Sequence, residues 1–196
     1  MHIGNPDPPK EVVERAESLD NAQKIFLLLL DAEGGEAVPG NLWLQKELFL
    51  IAKNLEPLEN YLSFEAHYQG PYSDQVKDII ENLEYEGLVQ KGRRKFSLTE
   101  SGKEVATVLR RAAADELLDL IHDTKSLAND LSKNELLVYI YYTYPEMTSE
   151  SLELDEVEAN REGLARSLYS RGKVSAEKAA ELAGADTVDF IRKIRA

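Results

Sequence analysis

The chain has 196 residues, 43% of them hydrophobic, with 36 acidic against 23 basic residues and a formal net charge of -13. That is enough for one substantial domain and a small second one, and too apolar for wholesale disorder. The absence of cysteine excludes disulfides and thiolate metal sites and fits a reducing compartment. The longest apolar runs, Ile25 to Leu30 and Leu136 to Tyr142, are far too short to span a bilayer, and no basic, then hydrophobic, signal core opens the chain, so a cytoplasmic protein is expected.

The first nine residues carry three prolines and a glycine and read as an irregular lead-in to a helix from Pro9 to Leu19. Asp20 reads as the N-cap of a helix over about 21–31, apolar around most of its girth from Ile25 to Leu30 and therefore the central core helix. Gly34, Gly35, Pro39 and Gly40 break it, and helical spacing resumes from Asn41 to Ala52. Alternation from Tyr61 to Tyr68 has the period of a half-buried strand, and Gly70-Pro71 turns the chain. Ser73 then caps a helix with Val76, Ile79, Ile80 and Leu83 inward, ended by Gly87.

Next comes a candidate wing. Leu88-Val89 and Phe96-Ser97-Leu98 read as two short strands around the basic turn Lys91, Gly92, Arg93, Arg94, Lys95, and Thr99 caps the following helix. A long helical stretch follows from Glu100 toward Leu131, interrupted near 123–129, and a further helix covers Asn134 to Tyr142, whose tyrosines either pack inward or mark a partner surface. Residues 145–158, with Pro145 and six acids, read as a solvated linker, with part of it helical as the alternative. In the tail, Ser175 caps a short helix, Ala179 or Ala180 permits close packing, Gly184 turns the chain, and Val188, Ile191 and Ile194 are expected to bury one side of the last helix, which is helix-turn-helix spacing.

Charge is unevenly divided along the chain. Residues 1–88 hold 6 bases and 17 acids, 89–111 hold 7 and 2, 112–160 hold 2 and 12, and 161–196 hold 8 and 5. Only the wing and the tail are basic, so any nucleic-acid binding is expected to be local, modest and strongly salt-dependent. The helix after Ser73 has the wrong sign for a major groove: Asp74, Asp78, Glu81, Glu84 and Glu86 stand against Lys77 alone. A basic protein partner suits it better. The candidate DNA contacts are Lys91, Arg93, Arg94 and Lys95 in the wing, with Thr187, Arg192, Lys193 and Arg195 in the tail; the alternatives are solvated turn chemistry and a charged helix C-terminus satisfying its own dipole. Arg110 and Arg111 either extend the basic patch or pair with Asp115 and Glu116. Glu65 with His67, and Asp119 with His122, each offer two metal ligands without a third, and no nucleophile, base or phosphate-loop pattern is present, so neither metal, cofactor nor catalysis is expected.

At Leu44-Gln45-Lys46-Glu47-Leu48-Phe49, followed by Phe64 to Gly70-Pro71-Tyr72, the chain resembles the Panacea antitoxin domain and its archaeal winged-helix relatives over roughly residues 20–145, and Tyr141-Tyr142-Thr143-Tyr144-Pro145 resembles a segment of those archaeal relatives. Many relatives carry a small aliphatic residue where Tyr72 stands. The resemblance implies a partner-binding or antitoxin role rather than catalysis, with Gln45, Lys46, Gly70, Pro71 and Tyr72 as the matching positions. The tail, through Gly172-Lys173-Val174-Ser175 and Ala179-Ala180-Glu181-Leu182-Ala183-Gly184, is similar to a small prokaryotic helix-turn-helix antitoxin-like family, which implies a DNA-reading or partner-binding module.

The expected architecture is therefore mainly α: a winged helix-turn-helix with a helical extension over 1–145, an acidic linker over 146–160, and a small C-terminal helix-turn-helix over 161–196. The expected role is a non-enzymatic DNA-binding regulator of antitoxin type, a homodimer through the helix from about Ser101, whose acidic N-terminal domain engages a protein partner such as a basic toxin. The competing expectation is a toxin-neutralising interaction module that binds no DNA.

Overall fold

The structure, a computed structural model, describes residues 7–93 and 95–195. In chain order it contains α1 (Lys10–Ser18), α2 (Asn21–Gly35), α3 (Asn41–Lys53), α4 (Glu56–Tyr61), β1 (Glu65–His67), β2 (Gly70–Tyr72), α5 (Asp74–Tyr85), β3 (Val89–Gly92), β4 (Lys95–Leu98), α6 (Glu100–Ala112), α7 (Asp115–Ala128), α8 (Lys133–Thr143), a 3-10 turn (Pro145–Thr148), α9 (Leu154–Ala159), α10 (Arg161–Ser170), α11 (Ala176–Ala183) and α12 (Thr187–Arg195). It is mainly helical, with two small antiparallel hairpins. Among the described residues no helix is long and apolar enough to cross a membrane. The chain divides into two compact units, Met1–Ser63 with Ser73–Asn129 and Phe64–Tyr72 with Asp130–Ala196.

The first unit is built around α2. Asp20 caps it by accepting from the Gln23 amide at 2.8 Å, while the Gln23 side chain accepts from the Asp20 amide at 3.0 Å, so two of the donors orphaned at a helix start are satisfied together. Ile25 to Leu30 are all buried, as their all-round apolarity requires, and α2 packs against α6, α7 and β4. β3 and β4 pair antiparallel in the register Val89↔Leu98, Gln90↔Ser97, Lys91↔Phe96 and Gly92↔Lys95. Val38 adds one antiparallel bridge on the other edge of β4, exchanging hydrogen bonds with Phe96 at 3.0 and 3.1 Å.

In the second unit the β1–β2 hairpin is tied to the segment after the 3-10 turn. The Leu152 amide donates to the Tyr68 carbonyl at 2.9 Å and the Gln69 amide nitrogen to Glu153 at 3.0 Å. α8 contributes Leu136, Leu137, Val138, Ile140 and Tyr141 to the core beside α9, α10 and α11. Glu135, at the start of α8, receives Arg171 on both oxygens at 2.9 and 3.0 Å, Ser167 at 2.7 Å and the Ser132 amide at 2.9 Å. Burial works against its charge, but these donors hold the carboxyl down at about 2.

Four expectations differ from what is seen. The strand expected over 61–68 is shortened to β1, because Pro57 starts a helical turn and the Leu62 amide closes it onto the Leu58 carbonyl at 2.8 Å. The long helix after Glu100 breaks at Ala113 and Ala114, both in extended geometry, rather than near 123–129. Within residues 146–160 the helical alternative is seen in α9, and the departure is from solvation: Met147 and Val157 are buried and Glu153 is held by Lys133 at 2.8 Å. Last, α12 buries Phe190 rather than Val188, which is 63% exposed. Two residues are about 200° apart around a helix, so burying one turns the other outward.

Candidate nucleic-acid interface

Val89, Phe96 and Leu98 are buried on one face of the hairpin, Lys91 continues that face outward opposite Phe96, and Lys91, Arg93 and Lys95 are exposed around the turn. Arg94 lies outside the described residues. The Lys91 ammonium rests 5.6 Å from the centre of the Phe96 ring, which props one cation on the hairpin while its neighbours project into solvent. Thr99 fixes the root of the hairpin: its hydroxyl donates to the Gly87 carbonyl at 2.6 Å and accepts the Gly102 amide at 3.0 Å. Arg110, weighed above as patch or pairing with Asp115, is ion-paired with Asp31 instead.

In the tail, Ala165, Leu168, Ala179, Ala180, Leu182 and Phe190 form the core of α10, α11 and α12, with Tyr169 edge-on to Phe190 at 6.1 Å. Ser175 caps α11 by accepting the Lys178 amide at 3.2 Å. Gly184, at φ 69, ends α11 in left-handed geometry, and the Ala185 amide returns to the Ala180 carbonyl at 2.9 Å. Arg161 braces this turn, donating to the Leu182 and Glu181 carbonyls while its guanidinium lies 3.5 Å from the Tyr142 ring centre. A Cβ at Gly184 would stand 2.9 Å from that guanidinium. Gly184→Ala is therefore expected to cost about 1–2 kcal/mol, from left-handed strain plus displacement of Arg161. Chemical denaturation followed by circular dichroism checks it, and an unchanged midpoint would refute the brace.

Asp186 starts α12 by accepting the Val188 and Asp189 amides at 2.8 and 3.4 Å. Thr187 is half-buried at the first turn, while Arg192, Lys193 and Arg195 are exposed. Arg192 pairs with Asp189 at 2.9 Å and Lys193 with Glu162 at 3.3 Å, both exposed pairs of the kind a polyanion displaces at little cost. Val188 and Ile191, expected to be buried, are respectively exposed and half-buried. Together with Arg192 and Arg195 they line a shallow cavity of about 460 Å³.

Of the five positions expected from the sequence to bind a partner, four are buried. Gln45, 1% exposed, is a strut: its side chain donates to the Ser73 carbonyl at 3.0 Å and accepts the Ser73 amide at 2.9 Å, joining α3 to the start of α5. Lys46 is 3% exposed, and burial draws its pKa down to about 7. Gly70 and Pro71 are buried, and Tyr72 is half open. The outer side of α5 does carry the acids read from the sequence. Asp74, Asp78, Glu81 and Glu86 are exposed, Lys77 is occupied by Glu81 at 3.8 Å, and Tyr85 is 93% exposed.

Neither histidine pair gathers a third ligand, and among the described residues no group of three acidic or histidine side chains could hold a metal ion. His67 lies among aromatic rings, 4.5 Å from Tyr68 and 5.0 Å from Tyr72, and His122 Nδ1 stands 2.7 Å from Glu33.

Residues 138–196 match the family described as Uncharacterised protein family (UPF0175). The matched stretch runs from within α8 to the end of the chain and so takes in the α11–α12 pair. No curated protein is significantly similar to the chain.

Proposed function

We propose that this chain is a non-enzymatic, DNA-binding regulator of antitoxin type, with the β3–β4 hairpin and the α11–α12 pair contacting DNA and the acidic side of α5 engaging a basic protein partner. The observation that carries the reading is the exposure of Lys91, Arg93 and Lys95 on a two-stranded hairpin and of Arg192, Lys193 and Arg195 on the last helix, within a molecule that is otherwise strongly acidic. A winged-helix reading of the first unit is supported by the order α2, Val38, α3, α5, β3, β4, with Val38 and β3 on opposite edges of β4. Helix-turn-helix geometry in the tail is supported by the Ser175 cap, the left-handed Gly184 and the buried Ala180. The antitoxin part rests on the two resemblances noted from the sequence.

A second reading, an interaction module that binds no DNA, is favoured by the acidic face of α5 and by the engagement of Arg192 and Lys193 with acids of their own unit. Charge reversal at Arg93, Arg94 and Lys95 separates the two. On the regulator reading, the triple variant retains its fold, loses about tenfold or more in affinity for DNA from upstream of its own gene, and shows a shallower dependence on salt. Unchanged retention on DNA across a salt series would count against a hairpin contact, and no retention of the unmodified chain would favour the interaction module.

A further inference from the structure

The outward side of α12 is unusual in what it exposes. Val188, Arg192 and Arg195 are exposed and Ile191 is half-buried, recurring at intervals of three and four, with Val188 on the side away from the buried Phe190. Val188 is 63% exposed, and Val188 and Ile191 form the floor of the cavity that Arg192 and Arg195 flank. In a helix-turn-helix, the N-terminal half of the second helix is the part whose side chains reach base edges. Among the described residues that half offers no Asn, Gln, Lys or Arg before Arg192, so the amide and guanidinium pairings that read adenine and guanine are missing where they would be expected. The Asp186 carboxylate is taken up by backbone amides at the helix start, and Asp189 by Arg192. Besides the hydroxyl of the half-buried Thr187, methyl groups are what remains. The base-edge feature that methyl groups recognise is the C5-methyl of thymine, which lies in the major groove.

Resting on the DNA-binding reading above, we propose that α12 reads thymine through its methyl group, with Val188 and Ile191 as the specificity-determining residues and Arg192 and Arg195 holding the flanking backbone. The occupant is duplex DNA rather than a second protein, because the apolar floor is flanked by arginines in one of the chain's two net-basic segments. Arg192 exchanges its exposed pairing with Asp189 for a phosphate, and the valine and isoleucine side chains lose water only when a methyl group meets them.

The test uses the full chain and a duplex selected from a random pool by retention at physiological salt. That duplex is compared with one of identical sequence in which every thymine is replaced by deoxyuridine, which removes the methyl and nothing else. The expected loss is about fourfold for each thymine contacted. The Val188→Ser, Ile191→Ser double variant is expected to bind both duplexes equally, at the affinity of the unmodified chain for the uracil duplex, and Val188→Ser alone to lose part of the thymine–uracil difference, with helicity retained by circular dichroism. Equal affinity of the unmodified chain for the two duplexes overturns the proposal while leaving DNA binding intact. Failure to retain any duplex overturns the DNA-binding reading, and this inference with it. A change of sedimentation in the Val188 variants with no thymine–uracil difference would assign the same face to protein contact.

Discussion

Gly102→Ala is expected to destabilise the first unit by about 3 kcal/mol or more, the opposite of what the same exchange does in an ordinary helix, where alanine gains roughly 1 kcal/mol. Gly102 lies one turn into α6, where the helix backbone runs directly against the start of β3. A Cβ there would fall 2.0 Å from the Leu88 carbonyl oxygen, 3.0 Å from its carbon and 3.3 Å from Leu98 Cδ2. Neither backbone partner can step aside, because the Leu88 oxygen accepts the Thr99 amide at 3.0 Å and Thr99 anchors α6 through the Gly102 amide itself. To admit a methyl group, α6 has to lift away from the hairpin, and Val105, Ala106 and Leu109, all buried, lift with it. The single tryptophan, Trp43 on α3, reports the first unit, so its fluorescence in a denaturant titration gives the midpoint directly. Gly163 on α10 serves as the internal comparison: a Cβ there meets nothing within 4 Å, and Gly163→Ala is expected to be neutral or stabilising by circular dichroism. A Gly102→Ala protein with an unshifted Trp43 transition would refute the close approach. It would also loosen the placement of the hairpin, since the same contact roots β3 and β4.

The elements that the sequence made legible are those whose signal is local. The Asp20 cap, the apolar girth of Ile25 to Leu30, the Thr99 cap and the Ser175 and Gly184 pair each lie within one short stretch of chain, and each is found where the spacing put it. What stayed hidden depends on distant partners. The short hairpin of Glu65–His67 with Gly70–Tyr72 is fixed by Leu152 and Glu153, more than eighty residues on, and α9 by burial of Val157 in a segment whose composition reads as solvated. The tail illustrates the same limit within one helix. Val188, Phe190, Ile191 and Ile194 allow two apolar stripes, and packing against α11 and the Tyr169 ring goes with Phe190 inward and Val188 outward. The candidate DNA residues were legible as charge because charge is read off composition. Gln45 and Lys46 were legible as a motif but not as buried residues, since a glutamine holding the Ser73 backbone on both sides is invisible until the two segments meet.

Lys125→Met is expected to cost about 3 kcal/mol, whereas Glu47→Gln is expected to leave the first unit as stable as before near pH 5 and more stable as the pH rises. The asymmetry follows from what each group does inside the protein. Lys125 is 0% exposed, and its ammonium donates to the Leu30 carbonyl at 3.1 Å and the Ala32 carbonyl at 2.8 Å, where α2 departs from helical geometry at Ala32 and Glu33. It acts as an internal cap for the end of the core helix, satisfying carbonyls that have no helical partner. Methionine fills the same volume and leaves both carbonyls bare. Glu47 is equally buried, but among the described residues neither of its carboxyl oxygens meets a hydrogen-bond donor, so a charge there is opposed by burial and favoured only by the field of Lys125. Burial raises its pKa well above the ordinary carboxylate value. In the pH range between that ordinary value and the raised one, the folded protein holds a proton that the unfolded chain has released, so stability falls as pH rises. Glutamine removes that slope. Lys46 has the opposite sign: with its pKa drawn down to about 7, the unfolded chain holds the extra proton above that pH, and stability rises toward the alkaline side. Because Lys46 is present in both proteins, the difference between wild type and Glu47→Gln isolates Glu47. Trp43 denaturation midpoints at pH 5, 7 and 8.5, together with the double variant to measure coupling, decide the matter. A Lys125→Met cost below about 1 kcal/mol would refute the cap, and a Glu47→Gln difference that is flat with pH would show that the buried carboxyl is already ionised in the fold.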